Sequence, residues 1–145
     1  MDVKIAFLNG YMEEEIYMAQ PDGFIQKGQE HKVFKLLKSI YGLKQAFRSW
    51  DQRFDEVIKT YGFEQNLSEP CVYKYSKSNV VVFLVLYLDD ILLIGSNIAL
   101  MSDIKAWLAK QFQMKDLGNV AFVLGIQIIR YRKKKLLALS QGTYR

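Results

Sequence analysis

The chain has 145 residues, of which 50% are hydrophobic and 14% aromatic, and this composition excludes a disordered chain and suffices for one domain with a buried core. The formal net charge of +5 is a modest basic excess, which permits binding to a polyanion but is also typical of an ordinary solvated surface. A single cysteine, Cys71, excludes an internal disulfide and fits a reducing compartment, and a single histidine, His31, excludes a histidine-based metal site or triad. The N-terminus has no signal-peptide pattern, so neither secretion nor a membrane partner is predicted.

The first half of the chain predicts three strands and a helix. Asp2–Leu8 has a strand pattern that ends at the turn signal Asn9-Gly10. Shorter strands are predicted at 16–19 and 33–37. A helix is predicted over 46–61, with Gly62 as its C-terminal cap and an apolar stripe that we assign to the core. The stripe consists of Phe47, Trp50, Phe54, Val57, Ile58 and Tyr61.

The second half alternates strands with one further helix. A strand is predicted at 72–75, and the apolar run 80–95 predicts a β-hairpin of strands buried on both faces. A helix capped by Ser96 or Asn97 continues to Phe112.

The segment after the second helix predicts a turn and a hairpin. The turn is assigned to 114–118, and the strands of the hairpin to 120–129 and 136–139. The basic connection at 130–135 is either a phosphate contact or a soluble hairpin tip. Helices segregated from a mostly antiparallel sheet predict an α+β fold, with two helices packed on one sheet face and the other face left for function.

Two adjacent aspartates, Asp89 and Asp90, interrupt the apolar run and are expected at the hairpin tip. Turn chemistry is the ordinary explanation for one aspartate at such a tip. Two neighbouring carboxylates repel each other, however, and a divalent cation would offset that repulsion. Asp2 begins another apolar strand, so three carboxylates could converge on one sheet edge as a site for Mg²⁺.

Six sequence blocks resemble, in order, the reverse transcriptase palm of copia-type LTR-retrotransposon Pol polyproteins. The resemblance covers essentially the whole chain. The blocks are DVKIAFLNG (2–10), SIYGLKQA (39–46), YLDD (87–90), MKDLG (114–118), LGIQI (124–128) and LSQ (139–141).

The resemblance implies a palm with a ferredoxin-like or RRM-like core, in which residues 1–145 form a single partial domain without fingers or thumb. It implies RNA-directed DNA polymerisation with two Mg²⁺ ions, for which Mn²⁺ could substitute. By resemblance, Asp2 and Asp89 hold the metals, Asp90 supports them and the Val3 carbonyl adds a ligand. Lys115 would help to protonate the leaving pyrophosphate.

The resemblance also implies contacts to the substrates. Phe7 would exclude a 2′-hydroxyl, and Tyr41 and Gly42 would contact the nucleotide. The residues expected to contact nucleic acid are Tyr87 and Leu88 at the primer end, Lys44 and Gln45, and Arg130, Arg132 and Lys133 in the basic connection.

Three hypotheses remain open from the sequence. The chain is a piece of an active enzyme whose partners are a primed RNA or DNA template, dNTP and the fingers, thumb and RNase H segments of a polyprotein. Alternatively, it is a catalytically inactive retroelement remnant with at most weak nucleic-acid binding. A sheet-based RNA-binding module would need exposed aromatic residues on its central strands, where this chain has aliphatic residues and aspartates. A retroelement protein is expected in cytoplasmic particles or in the nucleus.

Overall fold

A computed structural model describes residues 1–142 of the chain. Its two α-helices and largely antiparallel strands confirm the α+β class. In chain order the elements are β1 (Asp2–Val3), a first 3₁₀ helix (Ala6–Asn9), β2 (Tyr17–Ala19), β3 (Val33–Lys35), α1 (Ala46–Tyr61), β4 (Glu64–Gln65), β5 (Val72–Lys77), β6 (Val80–Tyr87), β7 (Asp90–Gly95), α2 (Ile98–Gln111), β8 (Met114–Lys115), β9 (Phe122–Val123), β10 (Ile126–Tyr131), a second 3₁₀ helix (Arg132–Lys134) and β11 (Leu136–Ser140).

The main sheet has six strands in the order β4-β5-β6-β7-β1-β8, and every neighbouring pair in it is antiparallel. The hairpin of β6 and β7 forms its centre, as the apolar run predicts. The short strand β1 lies between β7 and β8, so the start of the chain is an internal strand of the sheet.

Within residues 1–142, the two helices cover one face of the main sheet and leave the other open. Along β6, Val82 and Leu84 are fully buried, whereas Phe83 and Tyr87 are 41% and 52% exposed. The prediction that these strands are buried on both faces is therefore wrong: alternate side chains point to an open face.

Both helices pack against the covered face. Phe54 of α1 contacts the ring of Tyr73 on β5 and stacks on Phe112 at the end of α2, with centroid separations of 5.9 and 5.8 Å. Tyr61 of α1 lies 4.8 Å from Trp107 of α2. The predicted apolar stripe of α1 is confirmed as core, except that Phe47 at its first turn is 47% exposed.

The bounds of both helices follow from local signals. Helix α1 ends before Gly62, which takes the left-handed conformation at φ 104° as a C-terminal cap does. Helix α2 begins after Asn97, whose side-chain oxygen accepts a hydrogen bond of 3.0 Å from the Leu100 backbone N–H.

Two smaller sheets stand apart from the main one. Strands β2 and β3 form a two-stranded sheet, and the last three strands form a sheet in the order β11-β10-β9. Their apolar side chains are largely exposed, for example Val33 at 55% and Phe122 at 60%. Within residues 1–142, no helix is long and apolar enough to cross a membrane.

Three predictions of local structure are corrected. The strand predicted at 2–8 ends at Val3, because Ile5 takes a left-handed conformation (φ 49°, ψ 48°) and a 3₁₀ helix follows. The turn predicted at 114–118 contains β8. The strand predicted at 120–129 is two strands joined at Leu124 and Gly125, which both have positive φ as in a type I′ turn.

Candidate active site

Four polar side chains form one row across the open face of the main sheet. Tyr87 on β6 pairs with Asp90 on β7, Asp90 pairs with Asp2 on β1, and Asp2 pairs with Lys115 on β8. Directly opposed residues in a sheet project from the same face. The structure thus brings together two predicted metal ligands, the predicted proton donor and a predicted primer contact, which come from three separate parts of the sequence.

Asp2 and Asp90 occupy the closer of the two pairing types in an antiparallel ladder. Met1 and Ile91 exchange backbone hydrogen bonds of 2.7 and 2.8 Å, and the Val3 N–H donates to the Asp89 carbonyl at 2.8 Å. Asp2 and Asp90 therefore form the non-hydrogen-bonded pair between these bonds, in which opposed Cα atoms are about 4.5 Å apart. Like charges directly opposed in this way are destabilising unless a cation lies between them.

The hairpin turn itself consists of Leu88 and Asp89. Asp90 was predicted at the tip, but it is the first residue of β7 and pairs with Tyr87. Leu88 has φ 55°, which matches the first central position of a type II′ turn, and this conformation is uncommon for a residue with a Cβ. The Leu88 carbonyl accepts a 2.7 Å hydrogen bond from the indole N–H of Trp50. Sequence reasoning assigned Trp50 only to the core and missed this contact.

Two predicted nucleotide contacts lie beside the aspartates. The rings of Phe7 and Tyr41 are 4.4 Å apart between centroids. Tyr41 is 55% exposed, and its partial burial, followed by the negative charges of Asp89 and Asp2, raises the pKa of its hydroxyl, which therefore lies within the field of both carboxylates. Phe7 reaches this position from the first 3₁₀ helix and not, as predicted, from a strand.

The first 3₁₀ helix is held against α1 by a close approach of backbones. Gly10 caps it, and a Cβ added there would lie 2.8 Å from atoms of Ser49 and from the Trp50 nitrogen. Only a residue without a side chain fits at this contact. Gly10 therefore fixes the distance between α1 and the segment that carries Phe7.

The segment between Tyr41 and α1 contains three further predicted contacts. Gly42 has φ 93°, which a residue with a side chain adopts only with strain. Lys44 is exposed, and the Gln45 side chain donates a 3.2 Å hydrogen bond to a carboxylate oxygen of Glu14. Gln45 also precedes α1 as its N-cap residue, although its side chain makes no capping bond.

The basic connection at 130–135 belongs to a different sheet from the aspartates, and no strand pairing joins the two sheets within residues 1–142. Arg130, Arg132 and Lys133 belong to the separate three-stranded sheet and its second 3₁₀ helix. The Arg130 guanidinium donates to the Val120 carbonyl, which lies in the segment that leads into β9.

The donor set fits a metal ion that is shared with a substrate. Among residues 1–142, no three carboxylate, thiol or imidazole side chains converge as a ready-made cage. Mg²⁺ commonly binds through one or two carboxylates together with water and substrate phosphates. The opposed Asp2 and Asp90, with Asp89 in the adjacent turn, supply that kind of incomplete oxygen shell.

The chain is similar to known proteins over nearly its whole length. The family "Reverse transcriptase (RNA-dependent DNA polymerase)" matches residues 1–144. A retrovirus-related Pol polyprotein from transposon TNT 1-94 of Nicotiana tabacum is 47% identical over 99% of the chain, and the one from transposon RE1 of Arabidopsis thaliana is 35% identical over 99%. A putative transposon Ty5-1 protein of Saccharomyces cerevisiae is 37% identical over 88% of the chain and 42% of its own length.

The relatives are much longer than this chain, which spans 11% of the TNT 1-94 polyprotein and 10% of the RE1 polyprotein. No solved structure matches it. The family match nevertheless covers the row of aspartates, the turn and both helices. The chain belongs to the reverse transcriptase (RNA-dependent DNA polymerase) family, in the form carried by Pol polyproteins of copia-type transposons.

Proposed function

We propose that the chain is the palm part of an RNA-directed DNA polymerase, which transfers a deoxynucleotide from dNTP to a primer 3′-hydroxyl. The observation that carries this proposal is the close pairing of Asp2 with Asp90 on the open sheet face, next to Asp89 in the turn. Two carboxylates opposed at this distance have no stabilising role in a sheet. Their arrangement is suited to holding cations against phosphate oxygens.

Asp2 and Asp89 would hold two Mg²⁺ ions, or Mn²⁺ in their place, with the Val3 carbonyl as a further ligand and Asp90 in support. The family in general uses divalent metal ions. Such ions lower the charge on the reacting phosphate and favour the ionised 3′-hydroxyl. The carboxylates of this chain would set the positions of the ions and therefore the place where the phosphate charge is offset.

The remaining residues of the site would select and orient the nucleotide. The Phe7 ring, packed against Tyr41, would occupy the space of a ribose 2′-hydroxyl and so favour deoxynucleotides. Gly42 would let the backbone approach the nucleotide. Lys115, opposite Asp2 in the sheet, would donate a proton to the leaving pyrophosphate.

Contacts to the primer and template would come from several parts of the chain. Tyr87, which pairs with Asp90, and Leu88, which lies in the turn, would contact the primer end. Lys44 and Gln45 precede α1, and Arg130, Arg132 and Lys133 would contact phosphates from the three-stranded sheet. In the polyprotein, the partners would be fingers, thumb and RNase H segments, within particles in the cytoplasm or in the nucleus.

The test is metal binding and primer extension by the chain. We expect Mn²⁺ titration, followed by electron paramagnetic resonance, to show a site that Asp89→Asn weakens at least about 10-fold, since a ligand is lost. Asp22→Asn, in an exposed loop, is the matched control and should bind as the parent chain does. Primer extension on an RNA template should fall by about 10³-fold in Asp89→Asn, if the metals supply several kcal/mol to the transition state.

The two readouts separate the hypotheses. Metal binding without extension by the parent chain would identify a site that needs the rest of the polyprotein. Extension that survives Asp89→Asn would overturn the metal assignment, and absence of both activities would favour the inactive remnant.

A further inference from the structure

Trp50 links the core of the protein to the aspartate turn. Its indole N–H donates to the Leu88 carbonyl at 2.7 Å, across 38 positions of sequence. Trp50 is fully buried, and its ring lies 5.5 Å from that of Phe54 and 5.1 Å edge-on from that of Phe112. A donor packed on two sides by aromatic rings has little freedom to follow a moving acceptor, so the acceptor must conform to it.

The acceptor belongs to a peptide unit that has two alternative orientations. Type I′ and type II′ turns of two residues differ mainly by a flip of the central peptide, which here joins Leu88 to Asp89. Leu88 is held at φ 55°, a conformation that leucine disfavours. Strained backbone of this kind persists only where the surroundings fix it.

The two carbonyls of the turn accept hydrogen bonds from two different elements. The Leu88 carbonyl is bound by Trp50 of α1, and the Asp89 carbonyl accepts the Val3 N–H of β1 at 2.8 Å. The backbone on either side of the Asp89 side chain is thereby fixed. A flip of the Leu88–Asp89 peptide would break the bond to Trp50 and redirect Asp89.

We propose that Trp50 is a positioning residue, whose indole N–H locks the Leu88–Asp89 peptide in the orientation that directs the Asp89 carboxylate into the row of aspartates. Trp50 is fully buried and would act only through its bond to the turn. The inference rests on the proposed function only for the role of Asp89 as a metal ligand.

The test removes the N–H and keeps the ring. Trp50→Phe is the simple variant, and replacement of Trp50 by 3-benzothienylalanine preserves the bicyclic shape and so guards against a folding defect. Trp107→Phe is the matched control, because Trp107 packs against Tyr61 and makes no bond to the turn. The readouts are the Asp89 amide resonance by NMR and the Mn²⁺ dissociation constant.

We expect the benzothienyl variant to fold, to shift or broaden the Asp89 amide resonance, and to raise the Mn²⁺ dissociation constant about 10-fold, as lost support of a metal ligand does. Leu88→Gly in the same background should restore part of the Mn²⁺ affinity, because glycine is the residue preferred at the first central position of a type II′ turn and so favours the original peptide orientation over that of type I′. A purely structural role of Trp50 would not give that rescue.

An unchanged Asp89 resonance in both Trp50 variants would overturn the inference. If the parent chain binds no Mn²⁺, the proposed function fails, but the resonance still decides whether Trp50 locks the turn. A loss of Mn²⁺ affinity that Trp107→Phe reproduces would also overturn it, since the effect would then come from general loss of packing.

Discussion

The main sheet and the three-stranded sheet carry similarly apolar strands but bury them very differently. Val82 and Leu84 on β6 are fully buried, whereas Leu137 and Leu139 on β11 are 57% and 63% exposed. The difference is the presence of α1 and α2, which cover one face of the main sheet. An apolar strand sequence therefore predicts a strand, but burial depends on whether an amphipathic helix is available to cover it.

The same difference divides the proposed functional residues. The aspartates and Lys115 are set by the ladder of the covered sheet, and Phe7 is held against α1 through Gly10. The basic residues from Arg130 to Lys133 lie on the three-stranded sheet and its 3₁₀ helix, where the apolar side chains of the strands are largely exposed. The positions of the aspartates are thus fixed by the packed core of this chain. The basic residues lie on a sheet whose side chains are mostly exposed, so the core fixes their positions much less.

The largest predicted effect tests this contrast with two equivalent truncations. Phe54→Ala in α1 should lower the free energy of unfolding by about 3–5 kcal/mol, because a fully buried ring leaves a cavity. Phe34→Ala on β3, where the ring is 46% exposed, should cost less than about 1 kcal/mol. Urea unfolding followed by circular dichroism measures both. Similar costs would show that the small sheets are packed as firmly as the main one.

A second prediction concerns the contact between the first 3₁₀ helix and α1. Gly10→Ala should destabilise the fold by about 1–3 kcal/mol, because the added Cβ meets the backbone of α1 at 2.8 Å. Gly23→Ala is the control: Gly23 has φ 84° with no atom within 4 Å of an added Cβ, so its cost is conformational and about 1–2 kcal/mol.

The Tyr41 ring resonances in NMR distinguish the two substitutions. Gly10→Ala should also shift these resonances, since Phe7 packs on the Tyr41 ring and moves with the 3₁₀ helix, while Gly23→Ala should leave them unchanged. An equal change in both variants would mean that Gly10 does not position Phe7.

Elements with a local signal are predictable from this sequence. The limits of α1 agree with the prediction because apolar periodicity and a capping glycine lie within the helix itself. The hairpin of β6 and β7 is likewise marked by its own apolar run. The residues of the site were predicted in part by resemblance to a family, and the structure places Asp2, Asp90 and Lys115 opposite one another in the sheet, while their roles stay a prediction.

Features that depend on distant partners are not predictable in the same way. Strand β8 has two residues and exists only because β1 pairs with it. The end of β1 depends on the left-handed Ile5, and a β-branched residue carries no signal for that conformation. The donor for the Leu88 carbonyl lies on another element, so nothing near Leu88 in sequence indicates Trp50.

The smallest predicted effect concerns the helix that covers the main sheet. Asp51 and Asp55 lie one turn apart on α1, and burial, followed by the charge of Asp55, raises the pKa of Asp51. A carboxyl with a raised pKa stabilises the fold most at pH below its ordinary value, and this contribution is lost as pH rises through the raised pKa.

Asp51→Asn should therefore raise the Tm at pH 7 by about 1–3 °C, the scale of a like-charge pair on a helix. The gain should disappear near pH 3, where the parent Asp51 is protonated both in the fold and in the unfolded chain. Thermal unfolding at the two pH values measures it, with Asp103→Asn on the exposed side of α2 as control. A gain in Tm of the same size at both pH values would show that packing of the amide, and not removal of the charge, is responsible. The negative charge of Asp51 would then not destabilise α1 in the parent chain.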